Sequence, residues 1–248
     1  PWMSIETCAI HINNLLLRGY KAFIAVLGGQ VVGEVEVIQE YEPEPYGRYL
    51  YIYIFWIHKN FRGRGIGSTI ISFISKLAKK NNLSKIVTYP EEDSVKFYVK
   101  NGFNLLERYV QIKIIACDEK ASDVEIEEIP IESLGKINTS NYYFVIGRYA
   151  SSSSIIFDIK DDRYFLPKID FKYKAYRINA NHYTGLIVIR KSKIMQPSLY
   201  AWIKSDVLRG EIVSNIINVA SYIAHLDKLK EVNTCLLYTS DAADDGES

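Results

Sequence analysis

The chain is poor in sulfur. Its three cysteines, Cys8, Cys117 and Cys235, are odd in number and far apart, so they make neither a metal-ligand spacing nor a disulfide framework. That usage predicts a reduced, cytoplasmic protein. His182 and His225 have no partner at ligand spacing, so no metal is expected either. No apolar stretch reaches the length of a membrane span and no secretory signal opens the chain, which gives no case for a membrane partner. Excess charge is also lacking. A formal net charge of +1 leaves no footprint for nucleic acid. Nothing in the pattern assigns an oligomeric state.

What is present suits a globular protein. The 248 residues are 48% hydrophobic, enough for one large or two ordinary domains. The acidic, aromatic-poor stretch 118–132 reads as a linker. It separates a first domain, 1–117, from a second α+β unit, 133–234. Residues 235–248 do not continue the preceding pattern and are expected to be a non-native tail.

Residues 62–67 read Arg-Gly-Arg-Gly-Ile-Gly, between a strand-like run, Tyr49 to Ile57, and a helix-like run, Ile66 to Lys80. A glycine-rich turn there leaves backbone N–H groups unpaired at the positive end of a helix dipole, a setting for phosphate. Arg62 and Arg64 add charge, and a pyrophosphate ligand is expected. A Walker loop requires Gly-Lys-Ser/Thr, but Gly67 is followed by Ser68 and Thr69. A dinucleotide loop starting at Gly63 would put its third glycine on Ser68, and the region about 20 residues on carries no acid. The remaining pattern is Arg-x-x-Gly-x-Gly, met by Arg62, Gly65 and Gly67.

At these residues the sequence resembles the GNAT superfamily of acyl-CoA-dependent N-acyltransferases. The surroundings carry the likeness further. Phe23 to Leu27, Gly28-Gly29 and Gln30 to Ile38 read as a hairpin. Residues 94–103 look like the family's helix ending in Tyr-x-x-x-Gly-Phe, with Tyr98 as the tyrosine and Gly102 as the helix stop. The resemblance covers roughly residues 9–116. It implies an α/β (α+β) fold with a mixed, mainly antiparallel twisted sheet flanked by helices, here lacking its first strand. It implies acetyl-CoA as co-substrate, held by Ile57, His58, Arg62, Gly63, Arg64, Gly65, Ile66, Gly67 and Ser68. It implies transfer of an acetyl or short acyl group to a primary amine of a small molecule or protein, by direct attack in a ternary complex. Tyr98 would protonate the departing thiolate, oxyanion donors would lie near Trp56 to His58, and Tyr41 to Tyr46 would wall the acceptor groove.

Two departures matter. Many members carry a glutamate base nine residues before the motif arginine; here that position is Tyr53, and Tyr49 to Ile57 holds no acid. His58, Glu34, Glu36 and a water relay through Tyr51 or Tyr53 are the candidates, with Glu34 and Glu36 expected to face solvent because they alternate with Val35 and Val37. Glu91 replaces an asparagine that touches the cofactor in many members. These departures keep a second reading open, a non-catalytic acyl-CoA-binding or sensing module.

Elsewhere, residues 9–18 are predicted helical with Ile12, Leu15 and Leu16 inward, and Val95 and Val99 are expected to share the side of Tyr98. The serines 151–154 are predicted as a flexible loop before a strand at Ile155 to Asp158. Lys172, Lys174 and Arg177 are read as guards of an edge strand rather than a nucleic-acid strip. A strand, Arg-Gly and helix at 199–213 parallels the run around residues 54–66. The second unit is accordingly either a degenerate copy of the first or an unrelated α+β domain.

Overall fold

A computed structural model describes residues 5–121, 123–165, 171–206 and 208–238. The chain divides into two compact units, Pro1–Asn104 and Leu105–Ser248.

In the first unit, α1 (Ile5–Leu17) precedes a four-stranded sheet of β1 (Lys21–Leu27), β2 (Gln30–Glu42), β3 (Gly47–Ile57) and β4 (Lys85–Val87), in that order. The predicted hairpin closes through Gly28 and Gly29, both at positive φ as a two-residue turn demands. β2 and β3 are antiparallel, whereas β3 and β4 are parallel and joined by α2 (Ile66–Lys80). Helical periodicity puts Ile70, Ile71, Ile74 and Ala78 of α2 into a core with Val35, Val37, Leu50 and Ile52 of the sheet. The short α3 (Val95–Lys100) adds Tyr98 to that core. α1 differs in detail from its sequence reading. Leu15 is buried but Leu16 is exposed, and it is His11 that meets the sheet, its ring against Tyr53.

The second unit has a seven-stranded sheet in the order β5-β11-β7-β10-β9-β8-β6. Its strands are β5 (Arg108–Ile115), β6 (Val124–Ile129), β7 (Tyr143–Ile146), β8 (Lys172–Ala180), β9 (Thr184–Lys191), β10 (Ser198–Lys204) and β11 (Glu231–Tyr238). Helices α4 (Ser152–Phe165) and α5 (Gly210–Leu226) complete it. Ile212, Ile216, Val219, Ala220 and Ile223 of α5 pack on Ile178, Ile187, Ile189 and Ile203 of the sheet.

Several sequence expectations change here. β5, assigned above to the first domain, belongs to the second sheet, where it pairs along its whole length with β11. The supposed acidic linker contains β6, an edge strand on β8. Its acids face the bases of β8, with Glu127 to Arg177 at 2.9 Å and Glu128 to Lys174 at 3.4 Å. Charge on either strand alone suggested a solvated stretch, but opposite charges across a ladder stabilise pairing. β8 is thus an inner strand, not the expected edge. The serines do not form a loop: Ser151 accepts at its side-chain oxygen from the Ser154 N–H, as a helix N-cap does, and Ile155 to Asp158 continue as α4. Residues 235–238, set aside as tail, form the end of β11, with Leu237 buried; the rest of that segment lies outside the described residues.

The order β8, β9, β10, α5, β11 repeats β1, β2, β3, α2, β4 of the first unit. β7 pairs antiparallel with both β10 and β11, so β10 and β11 run in the same direction, as β3 and β4 do. Among the described residues no helix is long and apolar enough to cross a membrane.

Removing the buried Leu237 side chain tests whether residues 235–238 are part of the fold. Leu237→Ala is expected to destabilise the protein by about 2–4 kcal/mol, read as a lower denaturant midpoint at unchanged slope. A foreign tail would tolerate the change without effect.

Candidate active site

The site grows from the point where two parallel strands part. β3 pairs with β4 only through Tyr49↔Lys85, Leu50↔Ile86 and Tyr51↔Val87. Beyond Tyr51, β3 runs on to Ile57 still paired with β2 on its other side. Burial changes at the same place. Tyr49 to Ile52 are buried, as expected for an inner strand, but Tyr53 to Phe55 are half-buried and Trp56 is exposed. β3 also carries an extra residue there: Val37 faces Ile52 whereas Glu36 faces Ile54, which leaves Tyr53 in a bulge.

Tyr98 stands at this parting. Its ring meets Phe55, Phe97 and Phe103, and its phenol interacts with Thr88, whose hydroxyl reaches the Ile52 carbonyl at 3.4 Å. Burial pushes the phenol above its ordinary pKa, and the Thr88 hydrogen bond offsets this in part, so Tyr98 is a protonated donor at neutral pH. Val95 and Val99 do not share its environment; both are exposed. α3 is only six residues long, so one inward side chain per turn is enough to seat it.

At the end of β3, residues 58–65 make the turn into α2. His58 accepts at Nδ1 from the Asn60 N–H and so starts a short 3-10 helix at Lys59–Phe61. Its ring lies between Trp56 and Phe61. The Arg62 Nε donates to the Ile57 carbonyl at 3.0 Å, and the Arg64 guanidinium lies over Phe61. Gly65 is the N-cap of α2 at φ 80° and offers no side-chain cap, which leaves the first-turn N–H groups facing the exposed loop. Gly67 has a separate reason to be glycine. A Cβ there would come within 2.9 Å of the Phe97 ring, so this glycine lets α3 close on α2. Glu91 is exposed, and its carbonyl accepts from both the N–H and the hydroxyl of Ser94.

The opposite face of the sheet is acidic and aromatic. Strand alternation sends Glu34, Glu36, Glu40 and Glu42 away from the α2 core. Contrary to the sequence reading, Glu36 does not face solvent: it is 1% exposed. Alternation chose the face correctly, but Glu36 itself is covered there, and beside it Tyr53 packs on His11 of α1 and on Tyr20. The Glu36 Oε2 has no hydrogen-bond partner. Burial, then the neighbouring Glu34 carboxylate, pushes Glu36 from 4.5 to about 8. Glu42 is buried but satisfied, accepting from the Tyr49 hydroxyl, and the Tyr46 and Tyr89 hydroxyls lie 2.8 Å apart. A cavity of about 250 Å³ lined by Arg18, Lys21, Gln39 and Asn81 lies at the other end of the β2–β3 ladder, away from the loop and Tyr98. Among the described residues no His, Cys, Asp and Glu group could hold a metal.

Glu36 makes stability depend on pH with a sign opposite to that of a salt-bridged acid. Between about pH 4.5 and 8 the folded chain keeps its proton while the unfolded chain has lost it, so stability falls as pH rises through that window. Glutamine carries no such titration. The Tm of Glu36→Gln relative to the parent is therefore expected to rise from pH 5 to pH 8; an unchanged difference would mean that Glu36 ionises normally.

The comparisons with known proteins bear on the first unit. Residues 4–103 match the acetyltransferase (GNAT) family model. Among solved structures, an acetyltransferase of Pyrococcus furiosus is 27% identical, with 42% of this chain and 74% of that one covered and a TM-score of 0.35. An acetyltransferase of Clostridium acetobutylicum, solved with acetyl-CoA, is 25% identical over 38% of this chain and 65% of that one, with a TM-score of 0.35. The enzyme AAC(6')-Iy, solved with a CoA bisubstrate analogue, is 16% identical over 44% and 78%, with a TM-score of 0.40. No curated protein matches. Residues 4–103 of this chain are a domain of the GNAT acetyltransferase family.

Proposed function

We propose that the first unit transfers an acetyl or short acyl group from acyl-CoA to a primary amine of a small molecule or protein. The observation that carries this reading is the parting of β3 and β4 after Tyr51 and Val87, with the Tyr98 phenol at the opening and the glycine loop at its end. The free edge of β3 beyond Tyr51 offers backbone groups to the pantetheine arm of the co-substrate. The first-turn N–H groups of α2, with Arg62 and Arg64, suit its pyrophosphate. Ile57, His58, Gly63, Gly65, Ile66, Gly67 and Ser68 complete that binding strip. Tyr98 donates a proton to the thiolate as the carbon–sulfur bond breaks; its raised pKa keeps the phenol protonated until then. The acceptor approaches the other face, where Glu34, Glu40 and Glu42 favour a cationic amine and the segment Tyr41 to Tyr46 forms a wall.

The second unit fits a degenerate copy of the same plan. Where β3 and β4 part in the first unit, β10 and β11 are held apart by the chain's own β7. A strand of the protein thus fills the place an acyl-CoA would need. α5 also begins with Arg209 in extended conformation and without the glycine pair of 63–65.

Calorimetry with acetyl-CoA, paired with thiol release over a panel of amines and lysine peptides, tests both statements. One acetyl-CoA is expected per chain; two would overturn the reading of the second unit. Tyr98→Phe is expected to keep acetyl-CoA affinity within about twofold and to lower turnover on the order of 100-fold. Binding without release from any acceptor would instead favour a sensing module.

A further inference from the structure

If the first unit transfers acyl groups to amines, its acceptor must lose a proton before it attacks, and β3 holds no acid to take it. The position nine residues before Arg62 is Tyr53, the bulged residue. One strand away, Glu36 lies directly across from Ile54, beside that bulge. Strand spacing of about 4.8 Å places its carboxylate next to the spot that a Tyr53-position acid would serve. Glu36 is 1% exposed, and its Oε2 has no partner. A buried carboxyl group with an unpaired oxygen costs folding energy, so its presence calls for a reason outside the fold.

The two faces of β3 sort the remaining groups. Tyr98 belongs to the α2 side, in the core with Val35 and Val37. Glu36 alternates with those valines and so occupies the opposite side. A thioester carbon at the free edge of β3 would then meet a base on one side and an acid on the other. That is the arrangement direct attack requires, since nucleophile and leaving group interact with different faces of the tetrahedral centre.

We propose that Glu36 is the general base of the reaction, taking a proton from the acceptor ammonium directly or through one water. This rests on the acyl-transfer reading above. With Glu36 in its ionised form, which an adjacent ammonium favours, the ammonium gives it one proton, and the freed amine nitrogen forms a bond to the thioester carbonyl carbon. The carbon–sulfur bond breaks, and the thiolate takes the proton of Tyr98. The second nitrogen proton restores the tyrosine, leaving an amide and a thiol. Glu36 then returns its proton to solvent. The nearest charge to Glu36 is Glu34 on its own strand. Its cross-strand neighbours on β1 and β3, Ala22 and Ile54, are uncharged. Tyr51 and Tyr53 share its face from β3, and His11 and Tyr20 pack on Tyr53 from the α1 side. His11 is the imidazole among these neighbours, so His11→Gln serves as the control for the pH profile.

The test uses the full chain and two readouts. With an amine that the parent acetylates, Glu36→Gln is expected to lower kcat on the order of 100-fold with the acetyl-CoA KM within about twofold. Its remaining rate should climb with pH toward the amine's own pKa, and Glu36→Asp should recover part of it. Retention of kcat, or an unshifted acid limb of the pH profile, would overturn the proposal. The second readout needs no turnover. In carboxyl-¹³C NMR, propylamine is expected to lower the pH at which Glu36 titrates, because an ammonium favours the carboxylate. An unmoved Glu36 titration would overturn the proposal even in an active enzyme. An inactive parent whose Glu36 still responds to propylamine would refute the acyl-transfer reading while keeping the amine contact.

Discussion

The first unit depends on a three-residue limit to parallel pairing. β3 and β4 hold together at Tyr49 to Tyr51 and then separate, while β2 continues to hold β3 to its end. Backbone polar groups without strand partners must be satisfied by something else, and a free strand edge inside a domain is a place for an extended ligand. The groups proposed to act are arranged around that edge. α3 brings Tyr98 to it, Gly67 lets α3 come close enough, and the Gly65 turn ends it at a helix start without a side-chain cap.

The second unit shows what happens when the same constraint is met from within. β10 and β11 run in the same direction as a parallel pair would, yet β7 lies between them and hydrogen-bonds to both. The ladder is then complete through the centre of a seven-stranded sheet. Trp202 of β10 is fully buried, stacked on Phe144 of β7 with its indole N–H donating to Ser152. The corresponding region of β3 is half open. Similar element order therefore yields a closed core in one unit and a strand with a free edge in the other.

Much of the first unit was legible because its signals are local. The Gly28-Gly29 turn, the apolar run of β3, the helical spacing of α2 and the glycine loop each depend on residues close in sequence. The second unit was less so. Acidic β6 and basic β8 are some fifty residues apart, and neither charge pattern reveals its partner. α4 buries Ile155, Ile156, Phe157 and Ile159 together, so no amphipathic period marks it as helix, and its buried serines look like loop residues until a cap is seen. Residues 235–238 became strand only by insertion between β5 and β7.

The candidate site divides along the same line. Sequence alone determined the phosphate-type loop, the Tyr98 helix and the absence of an acid on β3, since these are facts of residue type and short spacing. It also determined which face of β2 carries Glu34 and Glu36, because strand alternation has a period of two. Only the tertiary structure decided that Glu36 is covered on this face, turning it from a solvated surface charge into a buried acid with an unpaired oxygen. Burial is set by what packs on a strand from elsewhere in the chain, and no periodicity within the strand encodes it.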